Sequence, residues 1–317
     1  MKKTVLTGIL VLSLGTTAFA AAVPGAGVSA VSYAANPVVQ SVQPQAAQAA
    51  VQESWDSIVN WDKGADADIV VLGFGRKGEG GTTLMARRAA IVDGYRNLAE
   101  VAGGVQVNSE STVRDMIAEN DVVRTNVSAV VKGAQIIAEG TTPEGDYYVK
   151  MSLPLFGEQQ SVAAAVLPEA VKNVQPAVPA KVTKKNTALP KAEFKEVKSL
   201  RYSGIVVDCR GLGLDCTFAP QILDVNGRGV YGIENIDPDF AVSKGMVEYS
   251  RDLAFATSGK SRAGSNPLVV KAVAVKGGTN SKNQVNAVLT AEDADKVLLA
   301  MSNNDSLLEN AAVVFVR

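Results

Sequence analysis

Apolar and polar positions along the first half of the chain alternate between two periods. Asp68 to Phe74 (DIVVLGF) is a short apolar run rich in β-branched residues and ending in glycines, which predicts a buried strand. Beyond a glycine-rich loop, Leu84, Ile91, Tyr95, Leu98 and Ala102 recur at helical spacing. They predict a helix capped by Thr82 or Thr83, running to about Ala102 and stopped by Gly103-Gly104. Ala90 and Gly94 are small enough to let it lie close on a sheet. Val105, Val107, Ser109, Ser111, Val113, Asp115 and Ile117 then alternate with mostly polar neighbours, predicting a long strand at an edge or in an interface. A second helix is expected from Asp121 to Gly133 on Val123, Val127 and Val130. Strands at 134–141 and 147–155 follow, joined by a Pro143–Asp146 turn. The order is β-α-β-α-β-β over residues 54–157.

The second half, 198–317, shows strand-like runs at 200–208 and 218–225, with a turn at Val225-Asn226-Gly227. Asp237 and Pro238 open a helix expected to reach Arg251. A hairpin is expected from 268–275 and 283–289 around Gly277-Gly278. Thr290 caps a helix to about Met301, and 311–316 is a last strand. The fold class is α+β, with two small α/β sandwich domains, the strands of the second expected to be antiparallel. Between them, residues 158–197 carry Pro168, Pro176, Pro179 and Pro190, and from Lys172 to Lys195 there are six Lys and one Glu. This composition predicts a flexible basic Pro/Ala/Lys linker.

The N-terminus changes the picture. Lys2 and Lys3 precede an apolar run from Val5 to Leu14 and an Ala18-Phe19-Ala20 cleavage site, a signal peptide over 1–20. Residues 21–53 read as a disordered leader, since 21–52 hold no charged side chain. No later run is long and apolar enough to cross a bilayer. The chain is expected to be exported to the periplasm or cell envelope. With no cysteine near the cleavage site, it is expected not to be lipid-anchored. In that compartment Cys209 and Cys216 predict a disulfide closing an eight-residue loop, worth about 2.5 kcal/mol if unstrained.

Composition narrows the chemistry. The 317 residues include no His, which removes imidazole bases and most zinc-hydrolase schemes. The 31 basic and 32 acidic side chains give no global charge to draw it to nucleic acid. Gly73, Gly75 and Gly78 match G-x-G-x-x-G, but the helix begins too late to receive a pyrophosphate, so a tight turn is the expected role. Asp208, Asp215, Asp224, Asp237 and Asp239 form no calcium loop and are expected at turns and caps. No catalytic residue, cofactor or metal is expected, and the protein is read as non-enzymatic.

Ala86-Arg87-Arg88-Ala89-Ala90-Ile91, then Asp93, Tyr95-Arg96-Asn97-Leu98-Ala99-Glu100 and Gly104-Val105, resembles the signature helix of the Lpp-twenty lipoprotein family. Val130, Gly133-Ala134 and Tyr148-Val149-Lys150-Met151 fit the same pattern, which covers about residues 66–157. Similar domains occur in the flagellar outer-membrane proteins FlgP and FlgT. The resemblance implies an α+β domain that assembles or docks at the outer envelope and carries no catalytic residues. Tyr202 to Asp208, Arg210 to Gly213 and Phe218-Ala219-Pro220 resemble a segment of uncharacterised envelope proteins. Arg87 and Arg88 are read either as a solvated helix face or as an interface or anion contact. The expected partners are other copies of the chain or other envelope proteins, with possible cell-wall contact through the linker. The alternative function is a binding module for a wall polymer or small ligand.

Overall fold

The computed structural model describes residues 58–78, 80–172, 174, 179–278 and 283–317. The signal peptide and leader expected over 1–53 lie outside them. β1 (Ile58–Asn60) leads through a 3-10 segment at Trp61–Asp66 into β2 (Asp68–Gly75), in which Ile69, Val71, Gly73 and Gly75 face inward. Helix α1 (Thr83–Gly104) lies across that face, capped by the Thr82 side chain, which accepts from the Met85 amide. Gly73 and Gly75 make this approach possible, because a Cβ on either would overlap the backbone of Ala86, Ala90 or Gly94. The two glycines expected in a tight turn instead sit within the strand and serve helix–sheet contact.

The chain continues through α2 (Val113–Glu119), α3 (Asp121–Lys132), β3 (Gln135–Thr141) and β4 (Tyr147–Pro154). The four strands form one antiparallel sheet in the order β1-β2-β4-β3. The long strand expected over 105–117 is replaced by a short connector and α2. Thr112 and Asp115 make a reciprocal capping box that starts the helix at Val113, overriding the alternating pattern. The connector before it is used by the second region: Phe218 N–H donates to the Gln106 carbonyl (3.2 Å), Ala219 N–H to Val107 (2.9 Å) and Gly278 N–H to Ser109 (3.1 Å).

The tether expected over 158–197 also differs. It contains α4 (Val162–Ala170), whose Val162, Ala163, Ala165, Val166 and Leu167 are buried, and most of α5 (Lys191–Ser199). The apolar run Ala163–Leu167 is helix-forming, Ser161 caps it, and Pro168 falls too near its end to prevent it. Phe194 and Val197 of α5 pack with Leu189 and Leu299.

The second region comprises β5 (Ile205–Asp208), β6 (Ile222–Asp224), β7 (Gly229–Tyr231), α6 (Pro238–Lys244), β8 (Glu248–Ser250) and α7 (Leu253–Ala256). It is completed by β9 (Leu268–Lys271), β10 (Ala274–Lys276), β11 (Asn286–Leu289), α8 (Ala291–Asn303), α9 (Ser306–Glu309) and β12 (Val313–Val316). Two sheets form, β10-β11-β6-β7 and β8-β12-β5-β9. Contrary to the antiparallel expectation, β12 is parallel to both β5 and β8, β5 to β9, and β11 to β6. The helix expected to run from Pro238 to Arg251 ends at Lys244, where Gly245 takes φ +78° and β8 begins three residues later. The expected hairpin splits at Ala272-Val273, so that β9 and β10 join different sheets.

One core spans both regions. Trp61 packs edge-on against Phe156, Phe218 and Tyr249, with ring centroids 6.1, 5.2 and 5.7 Å away, and Tyr249 meets Phe315 at 6.0 Å.

Candidate interaction face and the cleft between the regions

The outer side of α1 carries unusual apolar exposure. Ala86, Ala90, Gly94, Leu98 and Ala102 turn toward the sheet. The opposite stripe, at spacings of three and four, sets Leu84, Met85 and Val92 in solvent at 57%, 64% and 60% exposure, with Arg88, Ala89 and Arg96 exposed among them. β3 forms an edge of the sheet and pairs only with β4 among the described residues; its Ile137 is 52% exposed. A helix face and a strand edge thus both leave large aliphatic side chains in water.

Arg87 and Arg88 separate in role. Arg87 Nε donates to Glu139 Oε2 of β3 (2.7 Å) and Nη2 to Oε1 (3.3 Å), a two-pronged bridge that ties α1 to the edge strand. The Glu139 carboxylate holds the guanidinium pKa above its ordinary value. Arg88 points outward within the apolar stripe.

The expected disulfide is absent: Cys209 and Cys216 are both free thiols. Cys209 is fully buried at the end of β5, its N–H donating to Val316, while Cys216 lines a surface cleft. The Tyr249 hydroxyl accepts from the N–H of Thr217, next to Cys216, and donates to the Thr217 carbonyl, both at 3.1 Å. Cys209 is held by β12 and Cys216 at the cleft, which keeps the two thiols apart. Burial pushes both thiols up to about 12, so neither is a thiolate at neutral pH.

That cleft, about 400 Å³, opens where the two regions meet. Trp61 and Gln106 come from the first region, and Asp215, Cys216, Asn283 and Arg317 from the second. Arg317 Nη2 reaches Asp62 at 3.4 Å, but Asp62 is held more closely by Arg251 at 2.9 Å. Arg317 Nε is buried without a hydrogen-bond partner among the described residues. No periodicity marks these residues, because they arrive from segments far apart in sequence.

The remaining aspartates divide similarly. Asp237 caps α6, accepting from Asp239 and Phe240 N–H, and Asp239 sits in its first turn. Asp208 accepts from Arg210, and Asp224 closes the turn to Arg228. Asp215 is exposed, and among the described residues its Oδ2 accepts only from Gln284 N–H (3.0 Å). Among the described residues no group of His, Cys, Asp or Glu is placed to hold a metal ion.

A long helix seated through glycines on a four-stranded antiparallel sheet, with its arginine tied to the edge strand, coincides with the segment of the family resemblance. Residues 66–153 match the LPP20 lipoprotein family. Residues 204–317 match the second domain of Tp0624 from Treponema pallidum. No curated protein matches the chain. The LPP20 match marks an envelope-associated protein. It also overturns one expectation: LPP20 is a lipoprotein family, typically held to the membrane by lipid, so the reading of an exported protein that is not lipid-anchored does not stand. Among the described residues no helix is long and apolar enough to cross a membrane.

Proposed function

We propose that this envelope-associated protein is non-enzymatic and acts by assembly, with the outer face of α1 and the free edge of β3 meeting a second copy of the chain. The observation that carries this reading is the exposed Leu84–Met85–Val92 stripe beside an edge strand bearing Ile137. Stranded aliphatic side chains lose contact with water when a matching face covers them, at roughly 25 cal/mol per Å² of apolar surface. An edge strand offers unpaired N–H and C=O groups to its own symmetry mate, and a self-complementary patch closes a two-fold dimer. Arg88 and Arg96 within the stripe supply charge that fixes register. The absence of His supports the non-enzymatic part, and a place in an outer-membrane or flagellar structure is the setting the first region's resemblance suggests.

The test is Val92→Asp, a charge set in the stripe at a position the fold leaves in water. The variant should keep its thermal midpoint and lose self-association in gel filtration. Retained association in a folded variant contradicts the reading.

A second reading, contact with an anionic wall polymer, draws on one observation. Lys181, Lys184, Lys185, Lys191, Lys195 and Lys198 are all exposed, and none forms an ion pair among the described residues. It predicts pelleting with purified cell wall that salt abolishes; no pelleting at low salt removes it.

A further inference from the structure

The cleft between the regions combines features that the assembly reading leaves unused. It brings one cation and one anion to a single hollow: Arg317 on one wall and Asp215 at the mouth, with the Cys216 thiol within the electrostatic reach of both. Asp215 has no cationic partner within ion-pair distance among the described residues, and only one of its oxygens is engaged, by the Gln284 amide. Arg317 carries a buried Nε–H with no acceptor, and its contact with Asp62 is long. The guanidinium charge of Arg317 is thus only loosely matched among the described residues. Trp61 adds an apolar wall, itself fixed by three aromatic neighbours. The backbone around the cleft is fixed as well, since Gln106 O accepts from both Phe218 N–H and Thr217 Oγ1.

We propose that this cleft binds a small zwitterion, a free α-amino acid or a short peptide, with its carboxylate on the Arg317 guanidinium and its ammonium on Asp215. The volume of about 400 Å³ lies within the range of small-ligand sites, and a junction between two packed regions is where such sites form. A simple anion would meet Asp215 as well as Arg317, and a simple cation would meet Arg317 as well as Asp215. A ligand bearing both charges satisfies both walls. The bound carboxylate takes the loosely held guanidinium, while Asp62 stays with Arg251. The neutral Cys216 thiol, which both charges reach, repels neither.

The test uses the folded, ¹⁵N-labelled chain titrated with alanine, with the dipeptide Ala-Ala, and with acetate and methylammonium as single-charge probes. Saturable shifts are expected at the Gln106, Cys216 and Arg317 amides with alanine or Ala-Ala, and the stronger of the two assigns the source as free amino acid or peptide. Acetate and methylammonium should bind at least about tenfold more weakly, since each forfeits one charge-assisted bond. Asp215→Asn and Arg317→Gln should each weaken the zwitterion at least about tenfold. Arg317→Lys, which keeps the charge but removes the planar guanidinium, should also weaken it and guards against misfolding of the Gln variant. Shifts that do not saturate with either zwitterion overturn the proposal. So does acetate binding as tightly as alanine, or binding that both variants leave unchanged.

Discussion

The two regions solve burial in opposite ways. In the first, β2 alternates buried and half-buried residues, α1 covers one face of the antiparallel sheet, and aliphatic side chains remain in water on the helix and the edge strand. In the second, β12 buries all four of its residues between parallel neighbours, and β5 buries Ile205, Val206 and Val207. A central strand enclosed in this way has no face left to offer a partner. The first region keeps apolar surface for contact, and the second, locked to it through residues 106–109 and the Trp61 cluster, holds that surface in place.

The largest predicted effect breaks this division at the shared core. Phe218→Ala, in the second region, removes a ring that packs against Trp61 and Phe156 and should destabilise the protein by about 3–5 kcal/mol. Urea unfolding should remain a single transition, read equally by probes in both regions. A first region that keeps its own midpoint while the second melts would show two independent cores.

A smaller loss is expected at Asp295, which is 1% exposed. Its Oδ1 accepts from Arg228 Nη2 (2.7 Å), and its Oδ2 accepts from Ala188 N–H (2.7 Å) and Thr187 Oγ1 (3.0 Å). Asp295→Ala leaves these donors unmatched and should cost about 2–3 kcal/mol, less than a fully enclosed pair because Arg228 is partly exposed. Hydrogen exchange at the Ala188 amide should accelerate. An unchanged rate would mean that the 187–189 segment is held by other contacts.

Acid should act on the second region's turns. Hydrogen bonds from Arg210 hold Asp208 below its ordinary 3.8. At Asp224 burial pushes upward, but the Arg228 and Asn226 amides and the Arg228 charge together bring it below 3.8 as well. A depressed folded pKa contributes stability that is complete above 3.8 and is lost as pH falls through the lower folded value. Thermal midpoints measured from pH 5 downward should therefore fall below pH 3.8, and Asp208→Asn should flatten that slope. An identical slope in the variant would assign the acid sensitivity elsewhere.

The smallest effects separate the two arginines. Arg87→Glu faces Glu139 with a like charge and should lower the thermal midpoint. Arg88→Glu, on the exposed stripe, should leave the midpoint unchanged and act only on association. Equal destabilisation by both would erase the distinction between a bridge and an interface residue.

Legibility from sequence followed the same division. Helix α1, its Thr82 cap, and strands β2, β3 and β4 were readable, because each depends on short-range periodicity and local turns. The 105–117 stretch misled because Val105 and Val107 do alternate, but the partners of the Gln106 and Val107 carbonyls lie more than 100 residues away in the second region. The Thr112–Asp115 capping box was the local signal that outweighed the alternation. In the second region, the caps at Asp237 and Thr290 were visible. Parallel pairing was not, since a short apolar run such as Val313–Val316 carries no mark of its neighbours' direction. The stripe on α1 was half legible: Arg87 and Arg88 stood out by charge, but only the packing distinguishes one from the other. The cleft left no trace in the pattern. Asp215 read as a turn residue, and Cys216 as half of a bridge that does not form.

Assembly through the open face of the first region is tested most directly by the solution mass of the chain beginning at Ala21, measured by light scattering across a range of concentrations and repeated for Arg88→Glu. The account predicts a defined multimer for the unaltered chain and a shift toward monomer for the variant. A monomer at every concentration, or a multimer indifferent to Arg88→Glu and Val92→Asp alike, would contradict it.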